Sequence, residues 1–252
     1  MLRKRFLAGP SKGSLYSDLS QMGGLSPSLQ RICDELSGNP NLIRCDASAG
    51  WAIIHNGPRH STAAAAANVR NFSIDLWYQG VLQGSGWTSD LREIARASVA
   101  FHLDKSSISE IAVRFEWFKP TQQAVNHQRG AEIFVTEAWQ SLAHRLGSEP
   151  YSRLGLLPLV LEAAKRPELR RLLPFTSLNR LCFSRTTGYP YTGDCPLAWP
   201  LSGGLYVTAA CEQRVLGEGD AVRAADLLAA NLPRNCGAAI HGTAEDLKLL
   251  AD

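Results

Sequence analysis

The sequence predicts an α+β fold in which helices pack on a mainly antiparallel sheet, in an arrangement not assigned to any known superfold. Three observations predict it. Helical periodicity dominates residues 89–173, an alternation of period two marks residues 72–78, and after Pro174 short strands are separated by a Gly/Pro/aromatic loop. The regular strand–helix alternation of a doubly wound sheet is absent. The expected division is an N-terminal extension over residues 1–50 carrying one helix, followed by an α+β domain over 51–252. Two lobes meeting near residue 150 are the alternative within that domain.

Residues 1–24, rich in Ser and Gly after a basic start, read as a flexible arm or a surface-crossing extension. Ser26 and Pro27 open a helix with Leu29, Ile32, Cys33 and Leu36 at helical spacing, and Gly38-Asn39-Pro40 ends it. Strands are expected at 51–54 and 72–78, the latter with Phe72, Ile74, Leu76 and Tyr78 on one face. The alanine run at 63–67 between them reads as a helical turn or a loop. A helix over 89–103 directs Leu91, Ile94, Ala95 and Val99 to one side. Ser107 and Glu110 form a capping-box signature for the next helix, which runs through Val113 toward Trp117. Further helices are expected over 121–128, 136–145, 156–165 and 168–173. Strands follow at 181–184 and 205–211, with a short hairpin partner at 214–217. A helix over 220–231 stops before Pro233, and Thr243 with Asp246 suggests a last capped turn.

A chain of 252 residues with 45% hydrophobic and 19% charged residues can bury a full core. No apolar stretch is long enough to span a bilayer, and the apolar run behind the basic start is too short for a secretory signal, so a cytoplasmic protein is expected. The six cysteines read as reduced thiols, and neither cysteine nor histidine spacing suggests a metal site. A net charge of +3 is too small for a general nucleic-acid binder. Arginine greatly outnumbers lysine, which either reflects a high-GC genome or supplies guanidinium forks for anions where the arginines cluster.

Three stretches are candidates for chemistry. Gly84-Ser85-Gly86-Trp87-Thr88-Ser89 follows a strand and precedes a helix, as a dinucleotide fingerprint would; a plain strand-to-helix turn accounts for it as well, since Trp87 and Ser89 depart from the pattern. A nucleophilic hydrolase has no Gly-x-Ser-x-Gly elbow here. His102 and His144 read as helix-surface residues, and Cys182 and Cys211 as small core residues of strands. The strongest candidate is the stretch 167–194, where four arginines, several hydroxyls, two tyrosines and two carboxylates gather around a helix end and a strand end. Arg180, Arg185, Ser177, Thr186, Thr187 and Tyr191 are the expected anion and substrate contacts, because charge and several donors converge on the oxygens of a tetrahedral anion. Asp194 and Tyr189 are the candidate proton acceptors. Arg170 and Arg171, adjacent on a short helix, are expected to face solvent or an acidic partner. Arg185 is placed at the Thr186-Thr187-Gly188 turn, with Arg180 approaching the same strand end through the loop.

The blocks Pro167-Glu168-Leu169-Arg170-Arg171-Leu172-Leu173-Pro174-Phe175-Thr176-Ser177 and Phe183-Ser184-Arg185-Thr186-Thr187-Gly188-Tyr189-Pro190-Tyr191 resemble an actinomycete family of natural-product biosynthesis proteins of unknown domain type. Leu216-Gly217-Glu218-Gly219-Asp220-Ala221, Asn231-Leu232-Pro233 and residues 241–247 resemble its C-terminal blocks. Trp77, Gly80 and Asp90-Leu91 resemble its middle. One member of that family is the larger subunit of an aziridine-forming enzyme of azinomycin-type pathways. The resemblance implies a lyase-type ring closure that eliminates sulfate from an amino acid derivative, with no metal and no cofactor. It also implies two partners, a small accessory protein subunit and a small acidic amino-group carrier protein bearing the substrate, and involves neither nucleic acid nor membrane. The alternative is a noncatalytic binding or scaffolding subunit of a biosynthetic complex, and a dinucleotide-dependent oxidoreductase is the third reading.

Overall fold

The computed structural model describes residues 15–40, 42–48 and 51–249 and has an α+β architecture with two antiparallel sheets. Two compact units divide the chain, Met1–Val125 and Asn126–Asp252. The break at 125/126 replaces the boundaries expected at 50 and near 150. Part of the segment 1–50 belongs to the first unit's core, and the helix that approaches residue 150 packs on the second unit's sheet.

In the first unit, α1 (Ser17–Gln21) and α2 (Leu25–Ser37) precede β1 (Arg44–Ser48), β2 (Trp51–Asn56), β3 (Arg59–Ala65), β4 (Phe72–Tyr78) and β5 (Val81–Thr88). Then follow α3 (Leu91–His102), α4 (Ile108–Arg114) and β6 (Phe118–Pro120), and α5 (Gln122–Gln128) crosses the boundary. The sheet runs β1-β2-β3-β4-β5-β6, each strand antiparallel to the next. One face is apolar: Ala52, Ile54, Ala63, Phe72, Ile74 and Leu76 are fully buried in a core shared with Leu29 and Cys33 of α2 and Ile94, Ala95 and Ala97 of α3. Burying a side chain such as Phe72 contributes about 1.5–3 kcal/mol. The arm expected over 1–24 lies outside the described residues as far as residue 14. Beyond that, Tyr16 is buried, with its hydroxyl 2.9–3.0 Å from the carbonyls of Ala66, Val69 and Asn71.

Two expectations fail here for physical reasons. Ala63–Ala65 of the alanine run lie in strand β3, because ladders to β2 and β4 on both sides outweigh alanine's weak strand preference, and only residues 66 and 67 are outside it. Gly84 and Gly86 lie inside β5 rather than in a phosphate-cradling turn. A Cβ on either would come 2.7 Å from a backbone oxygen, of Lys119 or Trp117, so the glycines admit the chain entering β6. The capping box is present as expected, Ser107 N donating to Glu110 Oε2 at 2.7 Å and Glu110 N to Ser107 Oγ at 3.3 Å.

The second unit contains α6 (Ala131–Gly147), a 3₁₀ turn (Tyr151–Leu154), α7 (Leu157–Ala163), α8 (Pro167–Arg170), β7 (Leu173–Ser177) and β8 (Arg180–Ser184). After a loop come β9 (Leu197–Pro200), β10 (Tyr206–Ala209), β11 (Val215–Gly219), α9 (Ala221–Ala230) and α10 (Ala244–Leu249). Strand order is β11-β10-β9-β8-β7, and the expected β10–β11 hairpin forms. Pro174 is tolerated in β7 because that strand is an edge. Leu178 and Asn179, with φ of 49° and 59°, make the two-residue turn into β8. On α6, Trp139 Nε1 donates to the carbonyls of Arg170 and Leu172 at 3.0 and 3.1 Å, tying that helix to the entry of β7. No helix among the described residues is long and apolar enough to cross a membrane.

Candidate functional site

The β7–β8 hairpin separates the expected site residues into two groups. Ser177 pairs with Arg180 at the turn end, whereas Leu173 pairs with Ser184 at the other. Arg180 and Arg185 are therefore about 16 Å apart along the chain. The expectation that Arg180 reaches the Arg185 turn fails; its guanidinium lies over Trp199, 5.1 Å from the ring centroid. Ser177 is exposed at the turn end with it.

At the opposite end, Arg185 Nη1 donates to Asp194 Oδ2 at 2.8 Å, both side chains partly open to solvent. The Asp194 hydrogen bond holds the Arg185 guanidinium above its ordinary value. The loop between them is self-bonded. Ser184 Oγ accepts from the backbone N–H of Thr186 and Thr192, both at 3.1 Å, and Thr192 Oγ1 accepts from Arg185 N at 2.9 Å. Thr186 is fully buried and its hydroxyl bonds Ser184 Oγ at 3.1 Å, so it builds the loop rather than facing a ligand. Tyr191 packs against Phe175 at 4.6 Å, and burial raises its phenol above the usual range. Tyr189 is 69% exposed and stands edge-on to Tyr191.

The C-terminal segment completes this end. Thr186 forms a parallel bridge with Ile240; Ile240 N donates to Arg185 O at 3.1 Å, Thr187 N to Ile240 O at 3.0 Å and Gly188 N to Gly242 O at 2.8 Å. That alignment sets His241 Nδ1 3.3 Å from Thr187 Oγ1, with His127 at 4.3 Å between ring centroids. Burial lowers His241 and, aided by His241, lowers His127 to about 4, so both imidazoles are neutral at pH 7. Asp246 anchors the turn behind them, accepting from Thr243 N at 2.7 Å. Arg170 is exposed as expected. Arg171 is exposed as well, and it also ties down the C-terminal segment: Ala239 N donates to its carbonyl, and its guanidinium donates to the carbonyl of Cys236.

Cys236 and Cys195 are both buried. Cys195 Sγ also lies 3.8 Å from Asp194 Oδ1. Among the described residues no group of three or more His, Cys, Asp or Glu could hold a metal ion. Cys236, His127 and His241 were not singled out as site residues from the sequence, because they lie at this end only through contacts between residues far apart in the chain; Cys195 follows Asp194 directly but carried no motif of its own. Two other readings are corrected: His102 is fully buried, with Ser61 Oγ 2.7 Å from its Nε2, and Cys211 is exposed beyond the end of β10.

A model for a family of unknown function (DUF6193) matches residues 133–243, a span inside the second unit that includes Arg171, Arg185, Asp194, Cys195, Cys236 and His241. No curated protein and no solved structure matches the chain.

Proposed function

We propose that the Arg185 end of the second unit is the substrate site of a natural-product biosynthesis enzyme, in which an amine displaces a neighbouring sulfate to close an aziridine on a carrier-bound amino acid derivative. The observation that carries this reading is the half-exposed Arg185–Asp194 pair. An incoming sulfate ester competes with Asp194 for the planar fork of Arg185, which is suited to oxyanions. The released carboxylate then accepts the proton of the reacting amine. A C–N bond forms as the C–O bond to sulfate breaks; sulfate departs with the electron pair and the proton passes to Asp194. Sulfate is a good leaving group, so orientation and anion stabilisation supply the catalysis and the reaction as written uses no redox step. Exposed Arg170 offers charge to an acidic carrier.

The test is sulfate release from a carrier loaded with a β-sulfated amine, with the small partner subunit present. Arg185→Lys keeps the charge but loses the fork, and we expect turnover to fall at least about tenfold, roughly 1.4 kcal/mol. Equal turnover in folded Arg185→Lys protein sinks the assignment. The self-bonded hydroxyls of Ser184, Thr186 and Thr192 favour a second reading, a noncatalytic scaffold. Carrier binding without any conversion by the wild-type assembly would establish that reading instead.

A further inference from the structure

We propose that the turn end of the second unit, opposite the Arg185 end and independent of the aziridine reading, is a docking surface for an acidic protein segment with projecting apolar side chains. Three connections of the chain meet there. At the tip of the β7–β8 hairpin, Leu178 is 89% exposed. Its neighbour Asn179 donates from Nδ2 to the carbonyl of Leu154 at 3.4 Å, which fixes the tip to the 3₁₀ turn carrying Tyr151 and Leu154. The carbonyl of Gly155, next in the chain, accepts from the Tyr206 hydroxyl at 2.8 Å, and a Cβ on Gly155 would meet Pro200 at 3.5 Å. The β9–β10 connection therefore lies against the same turn, closed by Leu201 N donating to Leu205 O at 2.7 Å. Tyr151, Leu154, Leu201 and Leu205 are each between 37% and 47% exposed. Apolar side chains exposed singly need no explanation, but a group of them gathered at one end of a unit marks an interaction surface.

The backbone of the tip points the same way. A two-residue hairpin turn of this hand takes Asn, Asp or Gly at its central positions, and Asn179 conforms. Leu178 does not: its φ of 49° lies in the left-handed region, where leucine is disfavoured, and its side chain gains almost no burial in return. A residue that weakens its own turn without packing serves something outside the chain. Charge selects the partner. Arg145 is exposed, lies 6.0 Å over the Tyr151 ring and donates to Thr176 Oγ1 at 3.1 Å, while Arg180 lies over Trp199. Among the described residues neither arginine is in an ion pair. Of the nearby carboxylates, Glu149 is held by Arg153 at 3.1 Å, and Glu218 on β11 is three strands from Arg180, about 14 Å away. A guanidinium already resting on an aromatic ring loses little freedom when it binds a carboxylate. An acidic segment satisfies both the apolar group and this rim, whereas a second copy of the chain would bring its own arginines against them.

The experiment uses the full chain and two labelled synthetic peptides of amphipathic helical pattern, one with leucines on one face and glutamates on the other, its twin with lysines in place of the glutamates. By fluorescence anisotropy the glutamate peptide should bind at least about tenfold more tightly than its twin, and less tightly as salt rises. Leu178→Asn keeps the left-handed turn and removes the apolar tip. Its Tm should equal or exceed that of the wild type, and its affinity for the glutamate peptide should fall at least about tenfold. Leu205→Ser, on the other connection, should lower that affinity at least about threefold, and Arg180→Gln should both lower it and flatten its salt dependence. Equal binding of the two peptides overturns the proposal, as does wild-type affinity in Leu178→Asn. A Leu178→Asn protein that melts lower than the wild type assigns the tip to the fold and overturns it too. Sedimentation that finds a dimer abolished by Leu178→Asn gives the surface to a second copy instead.

Discussion

The two units hold matching ingredients in different company. Each holds buried thiols beside an antiparallel sheet, Cys33 in the first and Cys195 and Cys236 in the second, and each buries an imidazole near a hydroxyl group or a second imidazole. In the first unit the thiols of Cys33 and Cys45 join an apolar core, with Asp34 the nearby charge that acts on Cys33. In the second, Arg171 and Arg185 converge on Cys236. Burial of sulfur is thus common to both, and what separates them is electrostatics: a guanidinium stabilises a thiolate, and a carboxylate opposes it. The histidines tell the same story. His102 is sealed in the first core, where burial, followed by the charges of Lys105 and Arg59 and the neighbouring His60 and His55, lowers it to about 3. His127 is lowered to about 4 beside His241, which is only half-buried.

The largest consequence is acid sensitivity. His102 ordinarily ionises at 6.5, so above that pH it is neutral in both folded and unfolded chains and no penalty arises. As pH falls from 6.5 toward 3, the unfolded chain takes a proton that the folded one refuses, and stability drops by up to several kcal/mol. His127 acts in the same direction over the narrower window between 6.5 and about 4. Imidazole NMR on the folded protein at pH 5 should find both rings neutral, with His127 titrating before His102. A His102 resonance titrating near its ordinary value would remove the contrast between the two sites.

Next in size is the cation effect on the thiols. Arg185→Gln removes a guanidinium from Cys236 and should slow its alkylation at pH 7 by between about twofold and tenfold, as its thiolate fraction falls. An unchanged rate would mean that the guanidinium of Arg185 does not set Cys236 reactivity. The reciprocal change, Asp34→Asn, removes the charge acting on Cys33. Because that charge is the least of the causes raising Cys33, alkylation there should rise by less than about twofold. A larger gain would show charge to dominate burial in the first unit as well.

Local signals revealed some of this architecture and long-range pairing supplied the rest. Strand β4 follows its period-two alternation from Phe72 to Leu76, with an irregularity of the ladder at Trp77 leaving Tyr78 half-buried, and α4 and α9 begin at Ser107 and Asp220, whose side chains cap them. The polar β1, the alanine-rich β3 and the glycine-containing β5 carry weak strand signals and exist because neighbours pair with them. Strand β7 was obscured by Pro174, which only edge placement tolerates. At the candidate site, Arg185 and Asp194 were legible because nine positions separate them and the pair closes one loop. Cys236 and His241 were not, since hydrogen bonds from Ile240 and Ala239 bring them beside residues far earlier in the chain.

The parallel bridge between Thr186 and Ile240 also sets a timetable for synthesis. The first unit's sheet is a run of sequential neighbours ending at Pro120, so a ribosome can release and fold it while the second unit is still being translated. The Arg185 end must wait. Until Ile240 and the Asp246 anchor emerge, the loop carrying Arg185 and Asp194 lacks its docking edge. A stalled nascent chain that ends before residue 240 would therefore present that loop undocked to chaperones.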